Sequence, residues 1–263
     1  MTDVDDPMTA EFDTVAEWTA QVARALGPEY FIPAGCRGSG QPSALDWLLK
    51  GMLEGVRPTA GELLIDVGAG VGGPAAYAAE RTGVRPVLAE PEPGACRAAA
   101  SLFDAPVVQA DAVALPWPDA SAGLIWSLGV LCTATDPEHQ LAMLREMRRV
   151  LRPGGRIGLL VFLATAPRLD DPPQGNHFPT PDQLTALLEH ANLEIVRQAD
   201  AVDLPPPSLD WQDHTAAVER ELQRRFGRTA PLATATEQSD RIGRLLSSGQ
   251  LTERLLILRG HPR

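Results

Sequence analysis

The chain has 263 residues, 44% of them apolar and 22% charged, enough for one large domain with a sizeable buried core. A formal charge of −11 argues against a nucleic-acid partner, because phosphate binding needs a basic surface. Cys36, Cys96 and Cys132 are widely spaced and form no C-x-x-C pair, so they read as reduced thiols and give no zinc pattern. The opening residues, MTDVDDPMTA, have no apolar core, and the most apolar run, 157–164, is far short of a membrane span. The expectation is a cytoplasmic protein with no metal site and no membrane or nucleic-acid partner.

In chain order, Phe12, Val15, Trp18, Val22 and Leu26 fall at helical spacing within 8–26, and Gly27-Pro28 ends that helix. The loop IPAGCRGSGQP then leads to a second helix near 43–54. Neither helix belongs to a β-α-β unit, so 1–58 is expected to form a helical cap on a main domain at 59–263. From Glu62 short apolar runs alternate with helices, the texture of a mostly parallel sheet covered on both faces. Strands are predicted at 62–67, 86–90, 106–109, 123–128 and 156–163, with helices near 73–82, 92–102 and 137–151. Asp136 is suited to N-cap the last of these, with Pro137 at its first position. A helix at 181–191 and a strand at 193–199 follow. The region 203–250 breaks the alternation: the stiff DLPPPS connector, a polar helix at 209–226 and a helical piece near 237–247 are expected to join the cap. LTERLLILRG closes the chain as a strand.

The stretch LLIDVGAGVGG, 63–73, fits two templates. Gly68, Gly70 and Gly73 make the dinucleotide fingerprint, while Gly68, Gly70 and Gly72 make the pattern of nucleoside-methionine binders. Both need a strand ending in a tight turn whose glycines let a ligand approach backbone at a helix N-terminus. Glu90 ends the second strand, where an acid holds ribose hydroxyls in either ligand class. Asp66, two residues before Gly68, would repel a pyrophosphate but suits the ammonium and sulfonium of S-adenosylmethionine. Its alternative role is to bond the N–H groups of the glycine turn. Asp111-Ala112 follows the third strand, where a carboxylate can accept a hydrogen bond from an adenine amino group. LREMRRVLRPGGRIGLLVF ends a helix, turns on Pro-Gly-Gly and starts a strand, and no repeated nucleotide-binding half follows.

With these motifs in register, the sequence resembles the class I S-adenosylmethionine-dependent methyltransferases, of the ubiquinone/menaquinone-biosynthesis-like group. The resemblance runs through LLIDVGAGVGG, VLAEPEPGACRAA, QADAVALPWPDASAGLIWS and LREMRRVLRPGGRIGLLV, over about residues 60–163. It implies an α/β, Rossmann-like, seven-stranded sheet in the order 3-2-1-4-5-7-6, with the last strand antiparallel. It also implies S-adenosylmethionine as cofactor, with Gly68 and Gly70 at the methionine end, Glu90 on the ribose, and Asp111 and the Ala112 N–H on the adenine. Ser127 would lie near the methionine moiety or the acceptor. The family most often has Asp at the position of Glu90, one methylene shorter.

After the fourth strand, related enzymes often carry a histidine or an acid pair. Here SLGVLCTATDPEH supplies no obvious acid or base. Methyl transfer depends chiefly on alignment and desolvation, so the lack of one does not argue against activity. A hydroxyl or acidic-carbon acceptor would still need a proton acceptor. His177, in the loop GNHFPTP after strand five, is the first choice for it, ahead of His214 on the inserted helix. Trp47, Phe178 and Trp211 in the segments outside the sheet point to an apolar or mixed pocket for a small-molecule acceptor, such as a secondary metabolite. Two alternatives stay open: a non-methylating reaction such as a cyclisation, with the sulfonium acting only electrostatically, and a dinucleotide oxidoreductase.

Overall fold

Seven strands, β1 (Leu63–Val67), β2 (Arg85–Glu90), β3 (Val107–Gln109), β4 (Ala122–Leu128), β5 (Leu151–Ala164), β6 (Leu193–Asp200) and β7 (Leu251–Gly260), form one sheet. The structure, a computed structural model, describes residues 10–38, 40–54 and 61–261; the remaining parts of the expected cap lie outside the described residues. The strand order is β3-β2-β1-β4-β5-β7-β6, as expected from the sequence. Strands β1 to β5 pair in parallel, and β7 runs antiparallel between β5 and β6. Six strands therefore end at one edge of the sheet, and β7 begins there. That carboxyl edge is where open α/β sheets bind ligands.

The central strands read LLIDV and AGLIWSL because both faces of a parallel sheet are covered, which favours near-continuous apolar runs. Asp66 and Ser127 are the polar exceptions inside them, and both are buried. On one face, Ile65, Ile125, Leu159 and Leu256 pack with Leu144 and Met147 of α6 (Pro137–Val150) and Leu188 of α7 (Pro181–His190). On the other, Leu64, Trp126, Leu160 and Leu255 pack with Leu45, Leu48 and Met52 of α3 (Pro42–Leu53). Helices α4 (Gly73–Thr82) and α5 (Pro93–Leu102) follow β1 and β2. Trp126 and Leu48 have no exposed surface, so truncating either would leave a cavity worth about 3–5 kcal/mol.

A third cluster joins segments far apart in sequence. Val15 and Val22 meet Ala95 and Leu102 of α5, Val218 and Leu222 of α8 (Leu209–Phe226), and Leu232 of α9 (Ala230–Ser247). Here Trp18 of α1 (Ala16–Leu26) stacks on Phe226, with ring centroids 4.4 Å apart and planes 4° from parallel. Among the described residues no helix is long and apolar enough to cross a membrane.

Four boundaries differ from the expectations. A π-helical turn, Ala10–Val15, leads into α1 in place of a uniform helix from residue 8. A short helix, α2 (Phe31–Gly35), forms inside the stretch expected as loop. Its last residue lies against Gly73 so closely that a Cβ on either glycine would collide with the other segment's backbone. Strand β5 starts at Leu151, because Pro153-Gly154-Gly155 bulges the strand where a full turn was expected; the β4–β5 register shifts between Ala122 and Leu124. Helix α9 starts at Ala230, seven residues before the expected piece, with Pro231 in its first turn, where proline is well suited.

Candidate functional site

Strand β1 ends at Val67, and the chain turns at once through left-handed backbone: φ is +72° at Gly68, +53° at Gly70 and +87° at Gly72. A side chain at Gly68 would meet both strain and the methyl groups of Val130. Gly70 differs, because a Cβ there would find no atom of the described residues within 4 Å. Space therefore opens beside Gly70 at the start of α4, where helix N–H groups favour an anionic or polar ligand group.

Glu90, the last residue of β2, reaches this turn. Its Oε2 accepts a hydrogen bond from the Gly70 N–H at 2.7 Å, and its Oε1 accepts one from the Glu92 N–H at 3.0 Å. Burial nevertheless pushes its carboxyl up to about 7, against the lowering effect of those two N–H donors. Asp66 lies deeper and is also pushed up to about 7, chiefly by burial, with the Glu90 charge adding to the rise and the Trp126 indole opposing it. Its Oδ2 is buried and, among the described residues, has no hydrogen-bond partner. The thiol of Cys36, just after α2, is raised by burial and by the nearby Asp66.

Asp111 sits after β3 in an exposed turn, where its Oδ1 accepts the Val113 N–H at 3.0 Å. The Ala110 N–H donates to the Glu90 carbonyl at 3.1 Å, which ties this loop to the end of β2. Ala112 is buried in the first core cluster. Ser127 is buried as well, and its hydroxyl donates to the Val67 carbonyl at 3.0 Å, linking the ends of β4 and β1.

The loop after β4 starts with Gly129, whose N–H donates to the Leu160 carbonyl of β5 at 2.9 Å. A Cβ on Gly129 would lie 3.5 Å from the Gly38 carbonyl and 3.6 Å from the Phe162 ring. Backbone just after α2 and a ring of β5 thus flank the ground beyond the end of β4. The loop after β5 docks here too: the His177 N–H donates to the Cys132 carbonyl at 2.8 Å, and the Asn176 side chain donates to the same carbonyl at 3.2 Å. Gln140 of α6, fully buried, donates to the Leu131 and His177 carbonyls at 3.0 and 2.9 Å. His177 is held by its backbone, while its ring Nε2 is buried and has no hydrogen-bond partner among the described residues. His214 sits elsewhere, on α8, with its ring edge-on to Tyr30 and the two ring centroids 4.7 Å apart.

The structure therefore brings Gly70 and Glu90 into direct contact, sets Asp66 close to Glu90, and holds the two histidines on different elements with different partners. Sequence reasoning missed Gln140 and Asn176, which hold the loops after β4 and β5 together. Both lack a motif and act by bonding backbone carbonyls. It also missed Asp13, whose carboxylate accepts the Gly94 N–H in the first turn of α5 and, with the Glu17–Arg97 ion pair at 2.6 Å, ties the N-terminal segment to the helix after Glu90.

Residues 65–159 match the model of the family described as a methyltransferase domain. Over 123 residues the chain is 39% identical to the 27-O-demethylrifamycin SV methyltransferase of Amycolatopsis mediterranei, a match that spans 44% of each protein. It is 29% identical over 194 residues to the methyltransferase GfsG of Streptomyces halstedii, covering 64% of this chain and 68% of that one. Among solved structures, the cyclase SpnF has the same fold, with a TM-score of 0.62 and 22% identity over 83% of this chain and 81% of that one.

Proposed function

We propose that this chain is a class I S-adenosylmethionine-dependent methyltransferase that transfers a methyl group to a hydroxyl of an apolar small molecule. The observation that carries the reading is the pairing of the Gly70 turn with Glu90 beside a buried Asp66 whose Oδ2 has no hydrogen-bond partner among the described residues. That set fits S-adenosylmethionine: open space at Gly70, a carboxylate for ribose hydroxyls, and a second carboxylate for a cationic methionine end. A pyrophosphate on the glycine turn would meet the Asp66 carboxylate, so the dinucleotide reading loses ground. When bound, the cofactor supplies a methyl group already activated by the positive sulfur.

The residues of this chain do the rest. Gly68 and Gly70 offer backbone at the methionine end, Glu90 takes the ribose, and Asp111 with the Ala112 N–H reads the adenine. Ser127 holds the ends of β1 and β4 in register beside the methionine end. His177 is the proton acceptor: its Nε2, buried and without a partner among the described residues, is available for the proton of a hydroxyl that faces the end of β4. His214, engaged with Tyr30, is the second candidate. Residues 1–58 and 203–250 act as a cap on the domain at 59–263; the shared cluster of α1, α8 and α9 supports this. The rifamycin enzyme's name points to a hydroxyl acceptor. Phe162, Phe178 and Trp211 in the cluster on the α3 face give the acceptor side an apolar lining. Cytoplasmic residence fits Cys36, Cys96 and Cys132, which form no disulfide among the described residues.

The test is incubation with S-adenosylmethionine and a panel of apolar hydroxylated small molecules that includes 27-O-demethylrifamycin SV. Methylated product and S-adenosylhomocysteine in equal amounts are expected. An isomerised substrate without S-adenosylhomocysteine would favour the cyclisation reading instead, which the shared fold of SpnF keeps in view.

A further inference from the structure

Strand β7 enters the sheet at the carboxyl edge, where Leu251 pairs with Ala164, the last residue of β5. Two residues in, Glu253 pairs with Phe162. Paired residues in an antiparallel ladder share a face, and side chains alternate along a strand. The Glu253 side chain thus stands on the face of Leu251, Leu255 and Phe162, all in the apolar cluster that also holds Phe178, Trp211 and Leu245. Arg254, next in sequence, belongs to the opposite face, where it pairs with Asp200 at 2.8 Å. Among the described residues, Glu253 has no hydrogen bond and no ion pair. Glu253 is partly exposed, so its carboxyl stands at the border of this apolar cluster, open to a molecule lying along the sheet edge.

Its position says what it meets. The Phe162 ring borders the space beside Gly129, at the end of β4. Glu253 lies one strand farther along the edge, about 4.8 Å beyond β5 at ordinary strand spacing. A small molecule whose reacting hydroxyl faces β4 and His177 would lay its next few atoms over Phe162 and reach this carboxyl. We propose that Glu253 is an acceptor-binding residue, hydrogen-bonded to a second hydroxyl of the substrate displaced from the one that is methylated. The proposal rests on the methyltransferase reading above and deepens it to an acceptor that is apolar over most of its surface and carries at least two hydroxyls. Desolvation raises the proton affinity of this carboxyl, which strengthens it as a hydrogen-bond acceptor for a neutral donor. Beside the apolar side chains of this cluster, such a contact discriminates strongly against an analogue lacking the hydroxyl.

The experiment compares the wild type with Glu253→Gln and Glu253→Leu, on the full chain and with the hydroxylated panel described above. Calorimetry with S-adenosylhomocysteine and the melting temperature are read on each. The expected result is an unchanged S-adenosylhomocysteine affinity, a melting temperature of Glu253→Leu equal to or above wild type, and an acceptor KM raised roughly 10- to 100-fold in Glu253→Leu. Glu253→Gln, which keeps one acceptor oxygen, should fall between. Unchanged KM in both variants would overturn the proposal and leave the methyltransferase reading standing. A lower melting temperature with weakened S-adenosylhomocysteine binding would make Glu253 a structural residue and also overturn it. A wild type that binds S-adenosylmethionine and methylates nothing in the panel would remove both readings together.

Discussion

Replacing Glu90 by Gln should change the sign of its effect on stability with pH. In the folded, ligand-free chain the Glu90 carboxyl is raised from 4.5 to about 7 by burial. A raised folded pKa contributes stability that is fully present below the unfolded value and is lost as pH climbs through the folded one. A carboxyl held that far above its unfolded value contributes about 3 kcal/mol, most of which disappears between pH 5 and pH 8. Gln carries no charge to desolvate, but its single amide oxygen can serve only one of the Gly70 and Glu92 N–H donors, a loss of about 1 kcal/mol. Glu90→Gln should therefore be about 1 kcal/mol less stable than wild type at pH 5 and about 1–2 kcal/mol more stable at pH 8. Urea unfolding at the two pH values measures this directly. S-adenosylhomocysteine binding by the same variant should weaken by about 1.5–3 kcal/mol, since a charged acceptor for ribose hydroxyls is gone. Parallel pH profiles for the two proteins, or an unchanged affinity, would refute the reasoning.

Asp66 is raised from 3.8 to about 7, so S-adenosylmethionine affinity should rise as pH climbs from 6 to 8 and the carboxyl ionises to meet a cation; a flat calorimetric profile would count against that role. His177→Ala should lower kcat by on the order of 100-fold with cofactor affinity almost unchanged, and full turnover across the pH range would leave His177 as a loop residue. Gly68→Ala should cost about 2–4 kcal/mol by denaturant unfolding, from left-handed strain plus the clash with Val130; a wild-type midpoint would show that the turn relaxes freely. Hydrogen exchange in 16–26 and 209–247 should slow when cofactor and acceptor are added, and identical exchange with and without ligands would deny these segments a covering role.

The sheet was legible because its strands obey simple rules. LLIDV and AGLIWSL are too apolar and too short for anything but strands buried on both faces, and the glycine turn that follows β1 marks where the ligand edge begins. Asp136 and Pro137 announced α6 through local chemistry alone, and the Asp136 side chain does accept the His139 N–H at 2.8 Å. Helix α2 was hidden because its reason is tertiary: Gly35 ends it where only a glycine lets two backbones touch at Gly73. The bulge at Pro153-Gly154 was read as a turn for a similar reason, since the pairing of Leu151 with Ala122 depends on a strand distant in sequence. At the site, Gly70 and Glu90 each carried a motif, but the hydrogen bond between them is visible only in the structure. Gln140, Asn176 and Glu253 carry none. The first two work by holding backbone carbonyls, and the third matters only because β7 runs antiparallel and sets it beside Phe162.

The most direct test of methyl transfer follows the methyl group itself. The chain is incubated with S-adenosylmethionine bearing a deuterated methyl group and the hydroxylated panel, and products are read by mass spectrometry alongside calorimetry with S-adenosylmethionine and NADH. The expected result is S-adenosylmethionine binding, no NADH binding, and a product that gains one intact deuterated methyl group for each S-adenosylhomocysteine formed. NADH binding without S-adenosylmethionine binding, or a product of unchanged mass with the cofactor intact, would contradict the methyltransferase assignment.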